Sequence, residues 1–294
     1  MSVDRANEQH YELPPEFFGL FLGKYRKYSS GYWPDSSPAG HRDIALDAAL
    51  DASESAMLEL TVRRAQIADG QCILDLGCGW GSFCLYAAEN FPASQFTAVS
   101  GSKDQIAYIR SEANRRGLKN IRAELSDVGD YRPAKRFDRV VSVEMFEHMK
   151  NYRKLFSRIA EWLEPEGKLF VHIFSHVRYP FEYPEDGSWM ARTFFTGGTM
   201  PSDQLLFYFA DDFAAEQHWR VSGLHYRKTL RAWLTRYDRN RSRILPILES
   251  VYGPGKAKRW LVYWRLFLIG CEETFGLNGG NEFIVSHYLF SKKT

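Results

Sequence analysis

A glycine-rich turn follows an apolar run at residues 73–82, ILDLGCGWGS. Asp75 lies near the end of the run, and Gly77, Gly79 and Gly81 alternate before a helical pattern begins. Glycine lets the backbone turn tightly and approach a ligand where a Cβ atom would collide. Open parallel sheets bind ligands at the carboxyl ends of their strands, beside helix N-termini. The spacing differs from the G-x-G-x-x-G of dinucleotide sites and predicts another small ligand, although a dinucleotide site and a purely structural turn stay open.

Polar side chains also follow the next two predicted strands. Ser100 and Gln105 come after the second strand, where nucleotide-binding sheets often carry an acid for the ribose hydroxyls. A hydroxyl and an amide can hydrogen-bond to the same diol without a charge. Asp127 comes after the third strand, where its carboxylate could accept from an adenine amino group. The alternative for Asp127 is the cap of a turn.

An E-x-x-E-H motif at residues 144–148 follows the fourth predicted strand. Glu147 and His148 could remove a proton from a nucleophile such as an amine, because histidine titrates near neutral pH and a neighbouring carboxylate sets its tautomer and raises its pKa. General-base catalysis of this kind is worth about 10²–10⁴-fold in rate. Glu144 lies three residues before Glu147, so the two acids also attract a cationic amine. Glu144 could instead be an acid favoured by the start of a helix.

Strands and helices alternate from residue 71 onward, which predicts a parallel sheet with helices on both faces. The fold class that we expect is α/β, with a seven-stranded Rossmann-like sheet, a helical N-terminal cap and a helical insert or lid. The last segment, EFIVSHYLF, alternates like a final edge strand. The predicted strands are QCILDL, QFTAVS, IRAEL, RFDRVVSV, KLFVHIF, HWRVSGL and EFIVSHYLF.

Helical patterns surround this sheet. Residues 1–67 are predicted to form a helical cap over the active site, and residues 68–294 a Rossmann-like ligand-binding domain. Within the latter, residues 175–215 are rich in Pro, Gly and aromatic side chains and are predicted to form a lid. Residues 226–275 are again helical. Aromatic residues make up 15% of the sequence, which indicates either a large core or an aromatic pocket for a flat or cationic ligand, with Tyr28, Tyr32 and Trp33 as candidate cation–π partners.

Composition and charge exclude several classes of protein. With 45% hydrophobic and 25% charged residues, the sequence is typical of a folded chain. No window reaches the roughly 18 uninterrupted apolar residues of a membrane span, and the N-terminus has no signal-peptide pattern, so we expect a cytoplasmic protein. Cys72, Cys78 and Cys84 are six residues apart, which is not a zinc spacing, and with Cys271 we expect free thiols and no metal. No nucleic-acid partner is expected.

Positive charge is concentrated in residues 220–265, which hold 12 Lys and Arg against Asp238 and Glu249, a net charge of +10. With +2 for the whole chain, the remainder carries −8. Such a segment could make a peripheral contact with an anionic membrane. A solvated basic helix face is the alternative, and a homodimer is left open.

The D-x-G-x-G-x-G turn resembles that of class I methyltransferases that use S-adenosylmethionine (SAM) and release S-adenosylhomocysteine (SAH). Further motifs in order, HYELPPEFF, YSSGYW, VSVEMFEHMKNY, FFTGGTMPS and HYRKTLRAW, resemble the cyclopropane-fatty-acid synthase superfamily, and residues 10–291 resemble its coclaurine N-methyltransferase-like branch. The resemblance implies methylation of tetrahydroisoquinoline-type amines, with Glu144, Glu147 and His148 around the amine. It also implies these SAM contacts: Tyr28, Ser29, Asp75, Gly77, Gly79, Gly81, Ser100, Gln105, Asp127, Val128 and Val143.

Lipid-modifying members of the same superfamily provide the alternative function, methylation or cyclopropanation of an acyl double bond. Under that alternative the resemblance implies a bicarbonate ion held by residues at positions 30, 147, 172, 174 and 226. His172 and Tyr226 are retained and are further catalytic candidates. Ser30 replaces the Cys of those enzymes, and Phe174 replaces a smaller aliphatic residue. A SAM-binding scaffold without catalysis is the third hypothesis, which the complete E-x-x-E-H motif disfavours.

Overall fold

The computed structural model describes residues 13–34, 43–184 and 187–293. A seven-stranded sheet has the strand order β3-β2-β1-β4-β5-β9-β8, and a two-stranded ribbon pairs β6 with β7. The strands are β1 Cys72–Leu76, β2 Gln95–Ser100, β3 Ile121–Leu125, β4 Phe137–Val143, β5 Leu163–His176, β6 Phe181–Glu182, β7 Thr199–Met200, β8 Phe213–Val221 and β9 Phe283–Lys292.

Nine α-helices lie in the described residues, together with 3₁₀ turns at Phe146–His148, Leu205–Phe209 and Leu277–Gly280. The prediction of an α/β fold with a seven-stranded Rossmann-like sheet is confirmed. The helices are α1 Pro15–Gly19, α2 Asp43–Arg64, α3 Ser82–Asn90, α4 Lys103–Arg116, α5 Tyr152–Trp162, α6 Trp189–Thr193, α7 Gly223–Arg239, α8 Arg241–Tyr252 and α9 Pro254–Gly276.

The parallel half of the sheet brings the candidate side chains to one edge. β1 pairs in parallel with β2 and β4, and β2 with β3. Asp75 is paired with Ala98, and Ser100 with Leu125, so the carboxyl ends of these strands lie at the same edge of the sheet. β1 and β2 are buried over nearly their whole length, as strands covered by helices on both faces are.

The far half of the sheet differs from the prediction. β9 lies between β5 and β8 and is antiparallel to both, so the expectation of an edge strand at residues 282–290 is wrong and β8 forms the edge. The consecutive polar residues Ser286 and His287 of β9 are buried, and Ser286 bonds to Ser175 of β5 at 2.6 Å between the two Oγ atoms. β5 also starts at Leu163, through the EPEG segment expected to end the preceding helix.

A helical layer covers the carboxyl edge of the sheet. Phe17 of α1 packs against Trp264 of α9, with ring centroids 4.9 Å apart, and Phe21 packs against Trp233 of α7. α2 and α7–α9 follow the predicted helical segments, but among the described residues of the longer pattern that starts at residue 10, helix α1 covers only Pro15–Gly19. Residues 10–12 of that pattern, and 35–40 of the loop predicted at 28–40, lie outside the described residues. The predicted boundary between a cap at residues 1–67 and a ligand-binding domain at residues 68–294 stays a prediction.

The segment predicted as a lid contains little regular structure. Its described part holds the ribbon β6–β7, helix α6 and the 3₁₀ turn at Leu205–Phe209. Buried Asp203 attaches it to the sheet: its carboxylate accepts from Arg220 Nε at 2.8 Å and from Ser286 Oγ at 2.6 Å, and lies 2.8 Å from His218 Nε2. These bonds from β8 and β9 hold the lid segment against the antiparallel edge.

Most arginines of the basic segment 220–265 are neutralised within the fold. Arg231 pairs with Glu272 at 2.7 Å, Arg239 with Asp47 at 2.6 Å, and Arg265 with Asp238 at 2.9 Å. Part of the charge that the sequence concentrates there therefore serves to hold helices together. Among the described residues, no helix is both long enough and apolar enough to cross a bilayer.

Candidate active site

The glycine turn adopts a conformation that only glycine takes readily. Gly77, Gly79 and Gly81 have φ values of +79°, +51° and +77°. A Cβ atom at Gly77 would lie 2.5 Å from Met145 Cγ, and one at Gly81 would lie 2.6 Å from Ile109. At Gly79 a Cβ atom would meet nothing within 4 Å. The outer glycines are therefore required by packing, whereas Gly79 borders open space at the strand end.

Two buried polar atoms beside this turn have no hydrogen-bond partner, namely Asp75 Oδ2 and Gln105 Nε2. Burial raises the pKa of Asp75 to about 7, against hydrogen bonds from Cys84 that lower it. The Ser100 hydroxyl donates to Gln105 Oε1 at 2.6 Å, which leaves the Gln105 amide nitrogen to donate elsewhere. Unpaired buried donors and acceptors are costly, so these atoms fit a polar ligand such as a nucleoside with an amino-acid tail.

Some of the other predicted cofactor residues lie at this edge of the sheet, and others make hydrogen bonds within their own loops. Asp127 Oδ1 accepts from the Gly129 backbone at 2.5 Å, so the alternative of a turn cap is observed, and its second oxygen is still available for a ligand. Val128 is buried after β3, and Val143 is the last residue of β4. Buried Ser29 contacts the Lys27 ammonium.

Glu144 stands at the end of β4 in an unusual backbone conformation, with φ of +47°. Its N–H donates to the His172 carbonyl at 2.8 Å, which holds the main chain there. The Tyr226 hydroxyl donates to Glu144 Oε2 at 2.8 Å, and His172 Nε2 lies 3.3 Å from Oε1. Burial raises the pKa of Glu144 to about 7, while Lys27 and Tyr226 lower it. Glu144 therefore faces the site as a tethered carboxyl group and not as the start of a helix.

Glu147 and His148 lie in the 3₁₀ turn Phe146–His148. Glu147 is buried, its Oε2 has no partner, and burial together with Glu144 raises its pKa well above the usual range. Burial lowers the pKa of His148 to about 4, although Glu144 raises it. The expectation that a neighbouring carboxylate raises the pKa of His148 is therefore wrong in its net direction, because desolvation outweighs the charge. The imidazole is neutral at pH 7.

A cavity opens where this turn meets the helical layer, with an empty volume of about 830 Å³ including its mouth. Glu144, Glu147 and His148 form its polar end, and its remaining walls are largely aromatic and apolar. Volume and lining suit a small aromatic ligand with one charged or polar group. The other lining residues are Tyr28, Phe174, Tyr183, Met190, Phe195, Met200, Tyr226, Leu230, Trp233, Phe267, Cys271, Thr274 and Phe275.

Of the three aromatic candidates, only Tyr28 lines this cavity. Tyr32 stacks on His225 with centroids 4.6 Å apart, and Trp33 Nε1 donates to Thr229 Oγ1 at 3.0 Å. Those two side chains attach the loop to α7. The aromatic walls come mainly from the lid and from α7 and α9, elements that no single motif connects.

Lys27 and Glu54 are buried charged residues near Glu144 that were not identified from the sequence. Lys27 is 1% exposed, and burial lowers its pKa to about 8 while Glu144 and Glu54 raise it. Glu54 accepts from the backbone N–H groups of Gly23 and Tyr25 at 2.9 and 3.0 Å. A lysine within a loop and a glutamate within a helix carry no motif, so their meeting could not be read from the sequence.

All four cysteines are free thiols in the structure. Burial raises the pKa of Cys78 and Cys84 well above the usual value and that of Cys271 to about 12, so these thiols are protonated at neutral pH. No group of three metal-binding side chains occurs among the described parts of the chain.

The sequence pattern of the mycolic acid cyclopropane synthetase family matches residues 2–281. The chain belongs to this family. Among its relatives, (S)-coclaurine N-methyltransferase of Thalictrum flavum subsp. glaucum is 37% identical over 99% of this chain and 80% of its own length. The enzyme of the same name from Papaver somniferum is 38% identical over 96% and 79%. Cyclopropane-fatty-acyl-phospholipid synthase of Escherichia coli is 29% identical over 79% of this chain and 56% of its own.

Solved structures agree with the family assignment. A coclaurine N-methyltransferase bound to N-methylheliamine and SAH superposes with a TM-score of 0.91 and 37% identity, covering 99% of this chain and 83% of the other. A mycolic acid cyclopropane synthase complexed with SAH has a TM-score of 0.78 at 24% identity, covering 98% of each chain, and shows the shared fold.

Three of the five residues implied for bicarbonate in lipid-modifying members of the family lie against other groups of the protein here. Tyr226 donates to Glu144, and His172 also faces Glu144. The Ser30 hydroxyl donates to the Gly31 carbonyl at 2.9 Å. A second anion between these groups would meet the Glu144 carboxyl group, so we derive no step through bicarbonate.

Proposed function

We propose that this protein is a SAM-dependent methyltransferase that methylates the nitrogen of a small aromatic amine of the tetrahydroisoquinoline class. One observation carries the proposal: two buried carboxyl groups, Glu144 and Glu147, form the polar end of an aromatic cavity directly beside the glycine turn. Met145 follows Glu144, which lines the cavity, and the Met145 side chain packs against Gly77 of the turn. The cavity and the turn are therefore adjacent. A methyl donor at the turn and an amine in the cavity would therefore be neighbours.

Bound SAM supplies an electrophilic methyl group on a sulfonium. The residues that would hold it are those around the turn, with Gly79 leaving room for a close approach. The Gln105 amide would donate to a ribose hydroxyl, and Asp75 would face the amino-acid part. Asp127 would accept from the adenine amino group, and Tyr28, Ser29, Ser100, Val128 and Val143 would border the cofactor. The orphaned polar atoms of Asp75 and Gln105 support this arrangement.

In this reaction the protein must remove one proton from the amine nitrogen. The amine needs its lone pair to form the new N–C bond as the S–C bond breaks, and a secondary amine must also lose its N–H proton. Glu147 would accept that proton in its ionised form: burial raises its pKa well above the usual value, so it must first release its own proton to the solvent, and its carboxylate is then a stronger base than an exposed one. Neutral His148 would accept a hydrogen bond and orient the amine, and Glu144 would attract its positive charge. The aromatic walls exclude water.

The relatives support the same acceptor class. The curated proteins named above are (S)-coclaurine N-methyltransferases, and a pavine N-methyltransferase of Thalictrum flavum subsp. glaucum is 35% identical over 99% of this chain. The lipid alternative loses support from the structure, because six of the 12 basic residues in its segment form ion pairs with acids. Two of its five bicarbonate residues, Tyr226 and His172, also lie against Glu144. A cytoplasmic location, a homodimer and a peripheral membrane contact stay predictions from the sequence.

The test is a matched pair of acceptors supplied with labelled SAM. Heliamine, the amine that lacks the methyl group of N-methylheliamine, carries the nucleophilic nitrogen, and its ring-oxygen analogue has the same shape without it. We expect label in the N-methyl group of heliamine or of another amine in a tetrahydroisoquinoline panel, and none in the oxygen analogue. Absence of transfer to every amine, with SAM binding intact, would contradict the proposal.

A further inference from the structure

Two buried histidines and an arginine form a row of contacts that ends at Glu144. His172 on β5 and His287 on β9 are directly paired in register, and both are fully buried. His287 Nε2 lies 2.8 Å from His172 Nδ1, and Arg64 Nη1 lies 2.8 Å from His287 Nδ1. His172 Nε2, at the other end, lies 3.3 Å from Glu144 Oε1. The proposed mechanism uses neither His287 nor Arg64.

The chemistry of the donors fixes where each proton lies. Guanidinium nitrogens only donate, so His287 Nδ1 must be the acceptor and carries no proton. Burial and nearby positive groups, Arg64 and Lys27 among them, lower the pKa values of both histidines well below the usual value, so each ring is neutral. Neutral His287 therefore carries its proton on Nε2 and donates to His172 Nδ1. His172 in turn carries its proton on Nε2, which lies 3.3 Å from Glu144 Oε1 without an aligned hydrogen bond between the two atoms.

We propose that Arg64 is a positioning residue that locks the tautomers of His287 and His172, so that the protonated Nε2 of His172, and not a ring lone pair, lies beside the Glu144 carboxyl group. The catalytic meaning of this inference rests on the proposed function. With its Nε2 already protonated, His172 can accept a proton from Glu144 only by becoming an imidazolium next to the other cations. When Glu144 is ionised, its negative charge consequently stays on the carboxylate, which faces the cavity.

A purely structural role for Arg64 is the competing explanation. Its guanidinium also lies over the Trp219 ring, 4.8 Å from the centroid, so its removal could simply loosen β8. Two variants separate the explanations. Arg64→Met keeps an unbranched apolar stem against Trp219 but donates no hydrogen bond, whereas Arg64→Lys retains a donor.

The decisive measurement is nitrogen NMR of the full chain labelled at histidine, with the two rings assigned from His172→Gln and His287→Gln spectra. We expect an unprotonated Nδ1 and a protonated Nε2 on both rings of the wild-type protein and of R64K. In R64M we expect the Nδ1–H tautomer of His287 to become populated. A proton on His287 Nδ1 in the wild type overturns the inference, and so does an unchanged tautomer in R64M. The wild-type spectrum decides even if R64M does not fold.

Kinetics test whether the locked tautomer matters for turnover. We expect kcat with the best amine acceptor to fall about tenfold in R64M, the loss typical of one hydrogen bond in a charged network, with KM for SAM unchanged. R64K should remain within about threefold of the wild type. Unchanged kcat in R64M, despite an altered tautomer, overturns the positioning role. If the wild type methylates no amine, the proposed function fails, whereas the tautomer measurement stands independently.

Discussion

Glu147 is the residue on which proton removal depends in the proposed reaction. Its carboxyl group is buried, has an unpaired Oε2 and shares the cavity with Glu144. Replacement by glutamine keeps the shape and removes the base, so we expect E147Q to lower kcat by at least about 100-fold. Binding of SAH, measured by calorimetry, should be unchanged, because Glu147 belongs to the acceptor cavity.

The matched control for E147Q is Glu273→Gln, at an exposed position of α9 next to a residue that lines the cavity. It should behave like the wild type in both measurements. Loss of SAH affinity in E147Q would mean that Glu147 belongs to the cofactor site. Full activity of E147Q would remove it from the mechanism.

Whether a functional residue could be predicted from the sequence depended on how far along the chain its partners lie. Glu144, Glu147 and His148 could be found because a single local motif holds them after one strand. Arg64 and His287 are 223 positions apart along the chain, and no sequence pattern connects them, so only the fold brings them together. The pKa of His148 was predicted in the wrong direction because burial, which a local motif does not encode, outweighs its neighbour's charge.

At the scale of elements, the glycine turn makes a sharp prediction. Gly79→Ala adds a methyl group to a space where the protein has no atom within 4 Å, so it should fold normally and lower SAH affinity by at least about tenfold if the cofactor fills that space. Calorimetry with SAH measures the affinity, and thermal unfolding checks the fold.

Gly70→Ala is the matched control for G79A, since Gly70 also has a positive φ and open space around it but precedes β1 on the opposite edge. Gly70→Ala should lower the free energy of unfolding by about 1–2 kcal/mol, because alanine disfavours a positive φ, without placing a methyl group against the ligand. Equal SAH affinity in both variants would contradict the placement of the cofactor at the turn.

Asp203 provides a second test at this scale, because it joins the lid segment to β8 and β9. Asp203→Asn should lower the free energy of unfolding by about 3 kcal/mol, since it breaks a buried charge network with Arg220. Asp238→Asn, which breaks the more exposed pair with Arg265, should cost less than about 1 kcal/mol. Urea unfolding measures both values, and equal losses would contradict a special role for Asp203.

The pH dependence of the same network has a definite sign. Hydrogen bonds from His218, Ser286 and Arg220 lower the pKa of Asp203 to about 2 despite its burial. A depressed carboxyl pKa contributes stability that is complete above the unfolded value, about 3.9, and is lost as the pH falls from there toward 2. The wild type should therefore lose stability more steeply than D203N in that range.

Element boundaries show what the sequence could and could not predict. β2 and β3 occur where the patterns QFTAVS and IRAEL predict them, since each is a short apolar run bounded by clear turns. β8 starts at Phe213, five residues before the predicted strand, and β9 is internal. Their antiparallel pairing depends on contacts between residues 213–221 and 283–292, which no local pattern contains.

At the scale of the whole molecule, the arrangement of charge changes the meaning of the basic segment. A net charge of +10 over residues 220–265 is compatible with a membrane contact when only the sequence is considered. In the fold, Arg231, Arg239 and Arg265 pair with acids from α2, α7 and α9. Helix packing accounts for these arginines, so they are not available to hold lipid headgroups.

A direct competition between the two acceptor classes tests the central claim. The full chain receives limiting labelled SAM together with heliamine and vesicles of unsaturated anionic phospholipid, and the label is located by mass spectrometry. We predict that it appears in the N-methyl group of the amine and not in the acyl chains. Label in the lipid, with the amine unmodified, would contradict an active site built around the cationic nitrogen of an aromatic amine.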